Sequence, residues 1–307
     1  MTPLPAFSML GAGPTVLMLH GIGGGHLAFA PQLETLASHG YRAVAWDMPG
    51  YGRSAPIEPY TFMGLAHSCI ALIEALMAGE RGGIPSAAGP SQGASAPGTS
   101  AAQGQPALGG SDRHAVRERG GITLVGHSIG GMVAQEVLAR RPDLVDKLVL
   151  CGTSSAFGRK PDGQRADDWQ RNFVQSRTAP LDAGQSMAQL AASLVPAMAG
   201  PAALPEGLKL AMHCMSQVPE STYRRALEAL VGFDRRDSLA AIRAPTLLIA
   251  GEHDRTAPPS VMKKMAEVIA GGSYLEMKGV GHLMNLEAPD DFDGALLNFL
   301  ALPRILH

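Results

Sequence analysis

Residues 126–131 read Gly-His-Ser-Ile-Gly-Gly and place one serine among three glycines. The stretch before them, residues 121–125 (Gly-Ile-Thr-Leu-Val), is short, apolar and β-branched, as a buried strand is. The stretch after them repeats apolar residues at helical spacing from Met132 until a proline ends the pattern. Ser128 therefore lies where a strand turns directly into a helix, and a glycine two residues to either side would relieve the crowding of so sharp a turn.

Length and composition bound the class of protein. The chain has 307 residues, 46% of them hydrophobic and 17% charged, which suits a well-buried globular protein with one large α/β domain or two small ones. The formal net charge of −2 indicates neither a nucleic acid nor an anionic membrane as partner. We expect a small-molecule substrate, and a homo-oligomer is compatible with the composition.

The cysteines and the N-terminus bear on location. Cys69, Cys151 and Cys214 are odd in number and far apart, so they form neither a disulfide framework nor a metal-binding pattern. Residues 1–10 carry two prolines and no basic residue, which makes a poor secretory signal. No apolar run approaches the roughly 20 residues needed to span a bilayer. The sequence predicts a soluble, cytoplasmic protein.

Strand-like and helix-like runs alternate along most of the chain. Helical periodicity covers about 62–77, the segment after Ser128, and 260–269. Because strands separated by helices pair in parallel, with helices on both faces of the sheet, this order predicts an α/β fold with a mostly parallel sheet. The short apolar runs typical of buried strands are residues 15–19, 41–46, 122–125, 147–151, 246–250 and 273–277.

Two stretches break the alternation. Residues 80–118 are rich in Gly, Ala, Ser, Pro and Gln, cannot bury enough apolar surface to offset the entropy of ordering, and are predicted to be a disordered insertion. Residues 153–243 are helical in character and carry several methionines. The predicted organisation is a core of residues 1–152 and 244–307, interrupted by the insertion and by the helical segment.

Three reactive side chains each follow a predicted strand, at the sheet edge where ligands bind in open α/β folds. They are Ser128, Asp254 and His282, in the chain order expected of a nucleophile-elbow enzyme. A serine hydroxyl needs a base to take its proton, histidine suits that task, and a buried carboxylate fixes the tautomer of the histidine. We predict that Ser128 is the nucleophile, His282 the base and Asp254 the residue that orients it.

An oxyanion formed by attack on a carbonyl needs backbone N–H donors. The amide of Ile129, first in the helix after the serine, is one candidate. The second is the amide of Ile22 in the glycine-rich loop 20–25, where the backbone can approach a substrate closely.

Five segments in order resemble the α/β-hydrolase fold family: residues 20–24 (HGIGG), 47–54 (DMPGYGRS), 126–131 (GHSIGG), 247–254 (LLIAGEHD) and 279–282 (GVGH). The resemblance runs from about residue 14 to 299 outside the insertion. It implies that residues 153–243 form a helical cap over the active site. Members of the family usually open with two antiparallel strands, whereas only about residues 6–10 are available here, so we expect one of them to be missing or very short.

Details within the motifs favour one branch of the family. Dehalogenases and epoxide hydrolases of this fold carry Asp at the position of Ser128. Carbon–carbon bond hydrolases of aromatic ring-cleavage products are the main alternative, but Gly24, His127 and Leu283 depart from their pattern. Residues 130–135 and 148–153 resemble 3-oxoadipate enol-lactonases and related carboxylesterases. The sequence therefore predicts a serine hydrolase of a small carboxylic ester or lactone that needs no metal or organic cofactor.

Rival functions explain less of the sequence. A dinucleotide-binding loop is suggested by residues 20–26 with Asp47 after the next strand, but His26 stands where a third glycine is needed. A non-enzymatic ligand receptor would not need an activated serine. Metal-dependent hydrolysis has no support, since the chain contains no H-E-x-x-H motif.

The predicted cap is expected to form one wall of a substrate pocket. We expect this wall to be largely apolar and to face Ile22, Ile129 and Leu283. The residues proposed to build it are Met187, Met198, Met212, Met215 and Trp169, with Arg159, Arg171 and Arg177 as candidate partners of a substrate carboxylate.

Overall fold

The computed structural model describes residues 4–79, 121–157 and 166–303. The predicted insertion and Arg159 lie outside the described residues. The strands are β1 (Phe7–Leu10), β2 (Thr15–Leu19), β3 (Arg42–Trp46), β4 (Ile122–His127), β5 (Val145–Cys151), β6 (Thr246–Gly251) and β7 (Gly272–Met277).

These strands form one seven-stranded sheet in the order β1-β3-β2-β4-β5-β6-β7. β1 pairs antiparallel with β3, and every other pairing is parallel. One antiparallel strand, β1, thus precedes β2 within the described residues. Because β2, β4, β5, β6 and β7 all run the same way, their carboxyl ends meet along one edge, where the predicted reactive residues follow.

The helices are α1 (Ala30–Ser38), α2 (Phe62–Gly79), α3 (Ile129–Arg140), α4 (Ala166–Asp182), α5 (Met187–Met198), α6 (Pro205–Ser216), α7 (Glu220–Leu230), α8 (Pro259–Val268), α9 (Met284–Glu287) and α10 (Pro289–Leu300). Helices α4 to α7 lie between β5 and β6, within the segment that was predicted to form a cap.

Alternate residues of the central strands feed two hydrophobic layers. Leu17 and Leu19 of β2 join the layer that contains α2, α3, α8 and buried residues of α4 to α7. Val16 and Met18 join the opposite layer with α1 and α10. Side chains of a strand alternate between faces, so a strand buried on both faces reads as a continuous apolar run, as residues 15–19 do. The fold is α/β, as predicted.

α2 is long and apolar enough, by length and composition, to cross a bilayer, with half of it buried inside the protein. Its buried side chains, among them Leu65, Leu72 and Ile73, belong to the layer shared with α3. α2 is therefore a core helix of the fold.

The predicted elements are confirmed with shifted ends. β3 begins at Arg42 rather than residue 41, β4 continues to His127, and β5 begins at Val145 rather than residue 147. Apolar periodicity marks the buried part of a strand, whereas hydrogen bonding to a neighbour extends it over less apolar residues. β4 reaches His127 because that residue still pairs with Cys151 of β5.

Candidate active site

Ser128 occupies the sharp turn between β4 and α3. Its φ of 54° and ψ of −120° make it the only residue other than glycine with positive φ in the part of the chain that the structure describes. A Cβ at Gly130 would lie 2.2 Å from the Leu19 carbonyl oxygen, and one at Gly126 would lie 2.6 Å from the Gly130 carbonyl oxygen. The glycines are therefore required by close backbone approach, as the sequence indicated, and the serine is held in a strained conformation.

Asp254 and His282 form a buried pair. His282 Nδ1 lies 2.8 Å from Asp254 Oδ2, and the two residues are 4% and 3% exposed. Burial by itself raises the pKa of the Asp254 carboxyl, but the neighbouring His282 and the amides of Ala257 and Thr256 together lower that pKa below its ordinary value. An ionised Asp254 accepts the Nδ1–H of His282, which leaves Nε2 as a proton acceptor.

Ser128 and His282 line the same cavity. No hydrogen bond joins the Ser128 hydroxyl to His282 among the contacts of the described residues. Nucleophile–base contacts are often long without substrate and tighten when it binds, so this arrangement is compatible with proton transfer.

The two residues predicted to donate to the oxyanion differ in their relation to the cavity. Ile22 lines the cavity, and its carbonyl accepts a hydrogen bond of 2.9 Å from the Tyr51 hydroxyl, which fixes the loop after β2. The side chain of Ile129 is buried and does not line the cavity, which corrects the expectation that the cap faces it. As first residue of α3, Ile129 has an amide with no acceptor inside the helix.

His20 and Asp47 are both engaged in holding the loop that carries Ile22. His20 Nδ1 donates to the Gly21 carbonyl at 2.8 Å, and its Nε2 accepts the Met48 amide at 3.0 Å. Burial lowers the pKa of His20 to about 4, so the ring is neutral, as this pair of bonds requires. Asp47 accepts the His26 amide at 2.9 Å and its ring Nδ1 at 3.0 Å. The acidic residue of the dinucleotide hypothesis is thus occupied within the protein.

His127 supports His282 from beside the nucleophile. Its Nε2 donates to the His282 carbonyl oxygen at 2.8 Å, and the centroids of the two rings are 4.9 Å apart. Burial and the neighbouring His282 lower the pKa of His127 to about 3, so this ring is also neutral. Sequence reasoning did not identify the contact, because the two residues are 155 positions apart.

Glu287 is a second residue that sequence reasoning missed. It is fully buried and accepts the amides of Gly200 and Gly281 at 2.7 Å each and that of Leu283 at 2.8 Å. Two of these amides flank His282, and the third belongs to the segment after α5. A lone acid within the apolar run after His282, Leu-Met-Asn-Leu-Glu, is the sequence signal that could have drawn attention to it.

The cavity over Ser128 has a volume of about 440 Å³. Met198, Met215 and Leu283 line it, as predicted, whereas Met187 and Met212 do not. Trp169 is also outside the lining and packs against the rings of Phe157 and Phe173, which do line it. Of the arginines predicted to meet a substrate carboxylate, Arg177 lines the cavity, whereas Arg171 lies outside the lining and pairs with Asp168.

No group of three or more His, Cys, Asp or Glu side chains arranged to hold a metal ion is found in residues 4–79, 121–157 and 166–303. The three cysteines are buried and free. Burial raises the pKa of the Cys214 thiol to about 11, and raises those of Cys69 and Cys151 as well, as expected of thiols that pack in a core.

A serine on a strand-to-helix turn, with an aspartate and a histidine after later strands of a mostly parallel sheet, is the arrangement of an α/β hydrolase. Residues 16–295 match the model of the Alpha/beta hydrolase family, and the chain belongs to that family. It is a hydrolase of this fold.

Known proteins resemble the chain over most of its length. A protein of Caulobacter sp. strain K31, provisionally assigned as the carbamate hydrolase RutD, is 26% identical over 94% of this chain and 90% of its own. Among solved structures, an esterase from Exiguobacterium antarcticum has a TM-score of 0.73 at 22% identity, covering 96% of this chain and 95% of that one. The enol-lactonase from Burkholderia xenovorans LB400 has a TM-score of 0.70 at 21% identity, covering 97% and 96%. At such identities the structural likeness shows the fold alone.

Proposed function

We propose that the protein is a serine hydrolase that cleaves a small carboxylic ester or lactone through an acyl-enzyme on Ser128. The observation that carries the proposal is the buried 2.8 Å hydrogen bond from His282 Nδ1 to Asp254, beside a cavity that also exposes the strained Ser128. A cavity of about 440 Å³ lined largely by apolar groups suits a small organic substrate. The names of the esterase and enol-lactonase with the same fold agree with this substrate class.

The first half of the proposed reaction forms the acyl-enzyme. The Ser128 hydroxyl passes its proton to His282 Nε2 as its oxygen attacks the substrate carbonyl. The amides of Ile22 and Ile129 stabilise the oxyanion, and each such donor contributes about 2.7–4 kcal/mol. The intermediate then expels the alkoxide, which takes the proton from His282 and leaves as the alcohol.

The second half releases the acid. Water gives a proton to His282 Nε2 and attacks the acyl carbon, and collapse of the second oxyanion returns the proton to Ser128. Asp254 keeps the Nδ1–H of His282 in place throughout and stabilises the imidazolium that forms at each step. No step of this mechanism requires a metal or an organic cofactor.

The mechanism is tested with Ser128→Ala. We expect the variant to fold, to lose labelling by a fluorophosphonate probe, and to hydrolyse short p-nitrophenyl esters roughly 10³-fold or more slowly, because the nucleophile is gone. Ser193→Ala is the matched control, since this serine lies on α5 outside the cavity and donates to Leu190. Unchanged ester hydrolysis by Ser128→Ala would disprove the mechanism.

The substrate class is tested with a panel of an enol-lactone, neutral short-chain esters and a ring-cleavage dienone acid. We expect turnover of the lactone or the esters and no appreciable cleavage of the dienone, since Gly24, His127 and Leu283 replace the residues typical of carbon–carbon hydrolases. Dienone cleavage that exceeds ester hydrolysis would establish the alternative, a carbon–carbon bond hydrolase with the same triad. A cytoplasmic location remains a prediction from the cysteines and the N-terminal residues, and a homo-oligomer remains compatible with the composition.

A further inference from the structure

The charged side chains that line the cavity are cationic. They are Arg177 and Arg255, and the lining contains no Asp, Glu or Lys among the residues that the structure describes. Arg177 belongs to α4, whereas Arg255 follows β6, so the two cations come from different walls of the cavity.

Neither arginine has a hydrogen-bond or ion-pair partner among the described residues. This separates them from other arginines of the same region: Arg224 pairs with Glu220 and Asp182, Arg225 with Glu58, and Arg235 with Glu136. The guanidinium of Arg177 lies 5.4 Å from the centroid of the Phe173 ring, and Phe173 itself lines the cavity. Arg177 is thus placed against an apolar wall with its hydrogen-bond donors uncommitted.

Arg255 is fixed close to the proposed catalytic pair. It directly follows Asp254, whose Oδ1 accepts the amides of Thr256 at 2.7 Å and Ala257 at 2.9 Å. This tight turn anchors the backbone on which Arg255 stands, and Thr256 and Ala257 line the cavity beside it. Arg255 thus adds a second positive group to the lining of the cavity that His282 shares.

We propose that the cavity selects an anionic substrate, an ester or lactone that carries a carboxylate away from the bond that is cleaved, and that Arg177 and Arg255 bind this carboxylate. The inference rests on the proposed function and names its substrate class. A guanidinium presents a planar fork of donors that matches a carboxylate, and the absence of acids from the described lining leaves no competing partner for it. The apolar remainder of the wall then contacts the carbon chain of the substrate.

The test compares two p-nitrophenyl esters with acyl chains of the same length, one ending in a carboxylate (4-carboxybutanoate) and the other in its neutral amide counterpart (4-carbamoylbutanoate). We expect the wild-type enzyme to have the higher kcat/KM for the carboxylate. Arg177→Gln and Arg255→Gln should each reduce this preference about tenfold, the loss expected for a hydrogen bond to a charged group. Added salt should weaken the preference, since both arginines are open to solvent.

Arg171→Gln is the matched control, because Arg171 lies on the same helix, is exposed and pairs with Asp168. It should keep the wild-type preference. A wild-type enzyme that favours the neutral amide, or Arg177→Gln and Arg255→Gln variants that keep the full preference, would overturn the proposal.

A binding measurement separates this proposal from the proposed reaction. Glutarate should raise the melting temperature of Ser128→Ala, and adding Arg177→Gln and Arg255→Gln to that variant should abolish the shift. If neither ester is hydrolysed and Ser128 is not labelled by the fluorophosphonate, the proposed serine-hydrolase reaction is rejected. The glutarate-induced shift in melting temperature then tests the proposed carboxylate site by itself. No shift in Ser128→Ala would reject it.

Discussion

At the scale of single residues, two buried neutral histidines hold the loops on either side of Ser128. His20 fixes the loop that carries Ile22, and His127 fixes the backbone of His282. Burial holds their pKa values at about 4 and about 3, well below the ordinary value, so each ring keeps one donor and one acceptor near neutral pH. The geometry around the serine therefore depends on rings that must stay unprotonated.

This arrangement predicts acid sensitivity with a defined sign. The pKa of His127 is lowered on folding. The unfolded chain therefore binds a proton at this residue below about pH 6.5, whereas the folded protein binds it only below about pH 3. Stability is therefore lost as the pH falls through this window. His127→Gln keeps a donor for the His282 carbonyl but does not titrate. It should flatten the dependence of the unfolding free energy on pH between pH 6 and 4 by up to about 1.4 kcal/mol per pH unit.

Urea unfolding at a series of pH values measures this slope. Ser128→Ala, which alters the adjacent residue without changing a titrating group, should show the wild-type slope. The same slope in His127→Gln as in the wild type would mean that His127 is protonated equally in the folded and unfolded states.

At the scale of elements, the short helix α9 connects the base loop to the segment between β5 and β6. Its last residue, Glu287, accepts the amides of Gly281 and Leu283 on the base loop and that of Gly200 after α5. In addition, the His282 amide donates to the Met198 carbonyl at 2.8 Å. The position of the proposed base is thus set jointly by the core and by the predicted cap.

Glu287→Gln tests this connection. An amide replaces one of the two acceptor oxygens by a donor, so at least one buried backbone N–H loses its acceptor and meets another donor. We expect lower stability and a kcat reduced roughly ten- to hundredfold with little change in KM, because a displaced His282 affects proton transfer more than substrate binding.

Glu136→Gln is a matched control, since Glu136 is also buried and hydrogen-bonded but pairs with Arg235 and Arg140 away from the cavity. It should lose stability while the folded enzyme keeps its kcat. Equal loss of kcat in both variants would show that Glu287 has only a structural role and does not position His282.

At the scale of the whole molecule, α6 packs backbone against backbone on the segment that follows His282. A Cβ at Gly207 of α6 would lie 1.8 Å from the carbonyl oxygen of Leu286, and one at Gly281 would lie 2.1 Å from that of Met198. Such contacts leave no room for side chains, so α6 and the end of α5 are closely docked on the residues around His282.

Gly207→Ala should disturb this docking. Both Gly207 and Gly294 are helical glycines, but nothing lies within 4 Å of a Cβ at Gly294. We expect Gly207→Ala to destabilise the protein by about 1–3 kcal/mol through overpacking and to lower activity. Gly294→Ala should instead stabilise it by roughly 0.5–1 kcal/mol, the usual gain from removing a helical glycine. Chemical denaturation compares the two, and equal effects would argue against close docking.

The sequence by itself determined the sheet and the order of the proposed catalytic residues. Runs such as residues 15–19 and 246–250 are apolar because both faces of a central strand are covered, and a turn such as that at Ser128 has a local glycine requirement. Parallel strands end at one edge, so Ser128, Asp254 and His282 could be grouped without knowing their coordinates. These inferences depend on short-range patterns and on topology.

Only the tertiary structure decided which side chains surround the cavity. Arg171 and Arg177 stand on different faces of one helix, and only the packing of Phe173 against Phe157 decides which face lines the cavity. Arg177 lies one turn from Phe173 and therefore lines the cavity, whereas Arg171 does not. Glu287 and His127 likewise gain their roles from contacts with backbone far away in the chain or across a loop. Such contacts depend on how separate elements close on one another, and a periodic pattern within one element carries no record of that.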